Sequence, residues 1–200
     1  MRTGSPGSIL AALPTGSFVH HSDLPGTSSA VSSALARAQR AGQITPVRKG
    51  LFFKGAKTRY GMTRPTAEAV ALAVLGPTGV GPTGVSAARA LGLTTQVPVR
   101  PAFTIAGPVP VGIAGVEVSK RNNMGRRSLT FIEIALMELL RGDWEYVVDG
   151  GWRALVDAVA RAHNNDTVDL ASVQEAAAGE RSPALRRNLA RLIDALTASE

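Results

Sequence analysis

Few side chains in this sequence are placed to do chemistry, and most of those are cationic. Histidine occurs three times, as the adjacent pair His20-His21 and as His163. Neighbours on a strand point to opposite faces, so the pair does not chelate one ion and a surface or capping role is expected. Cysteine is absent, which removes disulfides, thiolate nucleophiles and cysteine-ligated metals together. No His/Asp/Glu spacing resembles a zinc site, and there is no GxSxG nucleophile elbow. The repeat GPTGV-GPTGV at 76–85 is glycine-rich like a phosphate loop. It lacks the closing Lys-Ser/Thr pair, and its prolines suit a rigid turn equally well. The sequence therefore assigns no catalytic residue, no metal ligand and no cofactor.

The chemistry that does emerge is anion recognition. Residues 1–60 carry eight cations (Arg2, Arg37, Arg40, Arg48, Lys49, Lys54, Lys57 and Arg59) against one anion, Asp23. The other 140 residues carry fourteen of each sign, so the whole net charge of +7 sits in the first sixty. Within that stretch, Thr27–Arg40 predicts an amphipathic helix. Thr27 or Ser28 is placed to cap it, and Val31, Leu35 and Ala38 form its core stripe, flanked by Ala34 and Ala41. Ser29, Ser33 and Arg40 fall on the opposite side with Ser32 and Arg37 at its edges. This outer face is small, hydroxylated and cationic, a surface that approaches a phosphate backbone and reaches base edges. Gly42 supplies the stop, and the following QITPVRKGLFFK predicts a hairpin with Arg48-Lys49-Gly50 at its tip. Helix and hairpin together form the second half of a winged helix-turn-helix.

The remaining elements follow from length and periodicity. Two hundred residues with 44% hydrophobic and 4% aromatic content suit an aliphatic core in one large or two small domains. Ser5-Pro6 opens a first helix with Ile9, Leu10 and Leu13 inward, and Phe18-Val19 suit a short strand. Ser22–Leu24 reads as a short helix. Gly55–Pro65 is polar and basic and reads as a linker, which places the expected division at residues 1–58 and 59–200. Beyond it, Thr66–Leu75 and Ser86–Leu91 are helical. Val97–Ala106 and Val109–Ser119 carry β patterns, and Lys120–Arg127 reads as a basic loop. From about residue 129 the chain is helical: Leu129–Arg141 is apolar nearly all round, and Gly150–His163, Asp169–Ala178 and Ser182 onward follow. In the last of these, Arg186, Arg187 and Arg191 form a solvated face. The fold class is α+β, a winged helix followed by a mixed α/β domain that ends in helices. There is no apolar run of about eighteen residues, and the N-terminal apolar run is too short for a signal peptide, so the expected location is the cytoplasm with no membrane partner.

Three blocks of residues carry a resemblance. The first is Phe18, Asp23-Leu24, Val31, Ala34-Leu35, Arg37, Ala41-Gly42, Ile44, Val47 and Gly50-Leu51-Phe52. The second is Ser86-Ala87-Ala88, Ala90–Pro98, Phe103-Thr104-Ile105 and Gly107, and the third is Thr130–Leu136. Together they resemble AbiEi-type antitoxins and a related putative-antitoxin family, from about Ile9 to Leu140. The resemblance implies an antitoxin encoded beside a nucleotidyltransferase-like toxin, with or without a stable complex between the two. It implies an N-terminal domain that represses the shared promoter and a C-terminal domain that neutralises the toxin. Carried over, the DNA-contacting residues are Ser29, Ser32, Ser33, Arg37 and Arg40 in the major groove and Arg48 and Lys49 on the wing. A dimer on an inverted repeat is expected, because one such domain makes few base contacts. One alternative is an ATP-dependent serine kinase that silences the toxin, although no kinase motif is present. The other is a plain repressor with a ligand-binding C-terminal domain.

Overall fold

In the computed structural model, residues 4–110 and 113–198 are described. They form a mixed α+β protein of two compact units, Met1–Val70 and Ala71–Glu200.

In the first unit, Ser5 caps α1 (Pro6–Ala12) through its hydroxyl, and Lys54 Nζ closes the far end on the Leu10 and Ala11 carbonyls at 3.2 and 2.8 Å. Strand β1 (Ser17–His20) leads into a single 3-10 turn, His21–Asp23, where the sequence predicts a second helix. His20 itself caps that turn, its ring accepting from the Ser22 N–H while its own N–H donates to Asp23. Helix α2 (Ser28–Arg40) is capped by Thr27 and stopped by Gly42, whose φ of 61° places it in the left-handed region. Strands β2 (Thr45–Arg48) and β3 (Leu51–Lys54) form the hairpin, and β1 pairs antiparallel with β3 to give the order β1-β3-β2. Leu10, Val19, Leu24, Val31, Ala34, Leu35, Ala38 and Ile44 share one core, so α1, β1 and α2 bury the faces their periodicity marks.

The segment expected to be a linker is built into this unit. Lys57–Thr58 (β4) pairs with Gly61–Met62 (β5), and Met62 Sδ accepts from the Gly55 N–H and the Thr45 hydroxyl. Gly55 has no room for a side chain, since a Cβ there would stand 2.1 Å from the Thr63 carbonyl oxygen. The compact unit accordingly runs to residue 70 rather than 58, and the division falls inside α3 (Ala67–Leu75).

In the second unit the glycine-proline repeat supplies strand β6 (Val80–Pro82), followed by α4 (Val85–Ala90). Strand β6 pairs antiparallel with β7 (Ala102–Ala106), which pairs in parallel with β8 (Glu117–Arg121). Val111 and Gly112, within the expected β pattern at 109–119, lie outside the described residues. Thr130 and Glu133 form a capping box that starts α5 (Phe131–Glu138), which runs through a wider turn, Leu139–Asp143, into α6 (Trp144–Val147). Helices α7 (Gly151–Asn164), α8 (Leu170–Ala178) and α9 (Pro183–Thr197) share one core with α5, in which Leu136, Leu139, Leu155, Val173, Leu185 and Leu192 are fully buried. Arg186, Arg187 and Arg191 are exposed, and Arg191 also lies over the Trp152 ring at 4.1 Å.

Gly81 is the position of the repeat where packing demands glycine. A Cβ at this position would stand 2.5 Å from Ile134 Cβ and 2.9 Å from the Phe131 carbonyl oxygen. Strand β6 therefore rests directly on α5. Gly81→Ala is expected to destabilise this unit by about 1–3 kcal/mol through overpacking. A thermal melt of the variant that superimposes on wild type would contradict that contact.

Candidate functional site

The anion-recognition surface expected from sequence is grouped in the first unit. Ser29, Ser32, Ser33, Arg37 and Arg40 are all exposed on α2, on the side away from Val31, Ala34, Leu35 and Ala38. The Arg40 Nε donates to the Ala36 carbonyl at 3.3 Å, which lays its stem along the helix. Arg48 ends β2 and is half-buried, while Lys49 stands exposed in the two-residue turn with Gly50. Gly50 has φ 78°, and a Cβ there would meet His20 Nε2 at 2.9 Å. Both the turn geometry and the close approach of the imidazole therefore require glycine.

His21 ties these two parts together. Its backbone N–H donates to the Gly50 carbonyl at 2.8 Å, and its Nε2 lies 3.3 Å from the Ser32 hydroxyl. One half-buried residue thus spans from the hairpin tip to the exposed face of α2. From the sequence, His21 is only a surface or capping residue. Its partners lie 11 and 29 positions further along the chain, so no local pattern points to this bridge. Ser32 already shares its hydroxyl with His21, whereas Ser29 and Ser33 stand on the exposed face of the helix.

The second unit holds a group of ionised side chains that sequence reasoning does not find. Arg126 is 1% exposed, although it lies in the stretch expected to be a basic loop. Its Nη1 donates to Glu138 Oε1 and its Nε to Glu180 Oε1, each at 2.5 Å. Glu138 also accepts two bonds from Arg121, at 3.0 and 2.6 Å, and one from the Thr83 hydroxyl at 3.3 Å. Glu180 accepts from Arg141 at 2.7 Å and from the Asn123 amide at 3.0 Å. The chain Arg121–Glu138–Arg126–Glu180–Arg141 therefore links the end of β8, the 3-10 turn Met124–Ser128, helix α5 and the turn after α8. Burial alone would raise the Glu138 carboxyl, but the bond from Arg121 and the charges of Arg126 and Arg121 outweigh it and hold the group below the usual carboxylate range. The Arg121 guanidinium is correspondingly held above its ordinary value by its bond to Glu138. One local clue is present. Glu138 ends a helix that is apolar apart from its capping Glu133, and a carboxylate at the buried end of such a helix needs a cationic partner.

No group of three His, Asp or Glu side chains among the described residues is arranged to hold a metal ion. No helix among them is long and apolar enough to cross a membrane.

Comparison with known proteins gives a family and a fold. A family model described as a family of unknown function (DUF6088) matches residues 8–139. The crystal structure of the RV2827C protein from Mycobacterium tuberculosis is similar in fold, with a TM-score of 0.51 at 14% sequence identity, covering 96% of this chain and 75% of that one. Among curated proteins there is no significant match.

Proposed function

The chain belongs to the family of unknown function DUF6088, and we propose that it is a DNA-binding antitoxin that represses its own promoter and neutralises a nucleotidyltransferase-like toxin. The first unit acts as a winged helix. Helix α2 enters the major groove, and the β2–β3 hairpin lies along the phosphate backbone as the wing. One observation carries this reading: His21 joins the basic hairpin tip to the exposed serine and arginine face of α2 in the one unit that holds the entire charge surplus. Arg37, Arg40, Arg48 and Lys49 supply affinity and register, and Ser29 and Ser33 reach base edges. Two copies bind an inverted repeat, since one α2 reads only a half-site. The second unit carries toxin neutralisation, with or without a stable complex. The protein works in the cytoplasm and needs no cofactor.

Arg40→Ala tests the division of labour. Band shifts on the DNA upstream of the gene should weaken by roughly tenfold or more, as expected for loss of one charge-assisted phosphate contact near the base edges. Co-expression with the neighbouring toxin gene should leave growth rescued. Loss of rescue with DNA binding intact would reverse the assignment of the two units.

A further inference from the structure

The buried ion chain opens at both ends into one polar pocket. Lys120, Arg121, Asn122, Asn123, Arg141, Glu180 and Arg181 line it, with a volume of about 370 Å³. Four of these side chains are cations and one is a carboxylate. Including the buried pair Arg126 and Glu138 behind them, five cations face two carboxylates. Asp143 lies near Glu138, Arg121 and Arg141, and burial followed by the Glu138 charge raises its carboxyl above the ordinary value. Even with Asp143 counted as ionised, the cations remain in excess.

The two rim arginines are already oriented. Arg121 gives Nε and Nη2 to Glu138, which fixes one edge of its planar fork, and Arg141 gives Nη1 to Glu180, so both guanidinium groups are anchored on buried carboxylates. Arg121 Nη1 and Arg141 Nε and Nη2 have no acceptor among the described residues, and both side chains remain partly exposed, at 26% and 32%. Lys120 and Arg181 are exposed and have no ion-pair partner among the described residues. Guanidinium groups anchored on buried carboxylates with donors left over, beside two exposed cations, suit a compact oxyanion with several acceptor oxygens. The volume exceeds what a bare tetrahedral anion fills and lies in the range of small-molecule sites.

We propose that this pocket binds a phosphate group, free or carried as a monoester, held by Lys120, Arg121, Arg141 and Arg181. Inorganic phosphate and the phosphate of a nucleotide share that chemistry. The site is separate from the DNA-reading face, and its existence does not depend on the DNA-binding proposal.

Titration of the full-length protein with inorganic phosphate and, separately, with AMP, read by calorimetry and by amide NMR shifts, tests this. Saturable millimolar or tighter binding is expected, with shifts centred on residues 120–123 and 179–181. Equal affinities would identify free phosphate as the ligand, and tighter AMP binding a nucleotide. The variant K120Q/R181Q changes two exposed side chains outside the buried chain and should fold as wild type. It should bind either ligand at least roughly tenfold more weakly, the loss expected for charge-assisted hydrogen bonds, while its operator band shift stays unchanged. Absence of saturable binding, or binding equal in the variant, would overturn the proposal. Binding abolished by R40A would do the same, because it would place the anion on α2.

Discussion

Arg126→Ala should destabilise the Ala71–Glu200 unit by about 3–5 kcal/mol, the usual consequence of removing one partner from a buried ion pair. Two carboxylates lose a ligand at once. Glu138 and Glu180 are 1% and 6% exposed, so both carboxylates are left buried with a donor missing. Arg121 and Arg141 remain, but they are the outer, half-exposed ends of the chain and cannot move into the vacated centre without leaving β8 and the turn after α5. Both tryptophans of the sequence, Trp144 and Trp152, lie in this unit and pack edge-to-face at 5.1 Å. Tryptophan fluorescence in a urea titration of the whole chain therefore reports on this unit specifically. A midpoint lowered by roughly 1 M or more is expected from the usual urea slope of about 1–3 kcal/mol per molar. A midpoint that does not move would mean that the ion chain contributes nothing to stability.

The same network gives a pH signature with a fixed sign. The Glu138 carboxyl is held below its ordinary value, so its contribution is fully present above the unfolded-state value and is lost as pH falls through the folded-state value. Asp143 acts in the opposite sense. Its raised folded-state value favours the protonated form, so it lowers stability as pH rises through the window between its unfolded and folded values. Comparing Glu138→Gln with wild type isolates the first effect. The variant should be less stable near neutrality and should lose less on acidification.

The second large effect concerns DNA. Replacing Arg37, Arg40, Arg48 and Lys49 together by glutamine should abolish detectable operator binding at physiological salt, because each phosphate contact adds about 0.9 to the slope of log affinity against log salt. Removing four phosphate-binding cations from each protomer should flatten that slope by about 3–4 for every copy bound. Three of these side chains are exposed and Arg48 is half-buried, so the fold should persist. Circular dichroism of the variant checks this before binding is interpreted. A variant with the wild-type slope would place the phosphate contacts on other residues.

Which parts are legible from sequence follows from the range of the interactions. Helix α2 is readable because its determinants are local: Thr27 caps, Val31, Leu35 and Ala38 repeat at helical spacing, and Gly42 stops. The caps Ser5, Thr66, Asp169 and Ser182 are readable for the same reason. The β4–β5 hairpin is not, because polarity alone makes residues 55–65 look like a linker, while Met62 and Gly55 hold the segment against β2 through contacts up to seventeen positions apart. The parallel pairing of β7 with β8 joins residues fifteen positions apart, and β6 emerges from a glycine-proline repeat by resting on α5; periodicity encodes neither. Arg126 reads as a loop cation because its charge is visible, whereas its two carboxylates lie 12 and 54 positions away. The candidate DNA face is legible residue by residue. The His21 bridge that makes helix and hairpin one surface is not.

The most direct test of the DNA-binding account is the affinity of the intact protein for the DNA upstream of its gene, measured by fluorescence anisotropy from about 50 to 200 mM salt. The account predicts saturable binding that weakens by roughly a hundredfold or more over that range, as four or more phosphate contacts per protomer require. Affinity that changes less than about threefold, or no binding at the lowest salt, would contradict it.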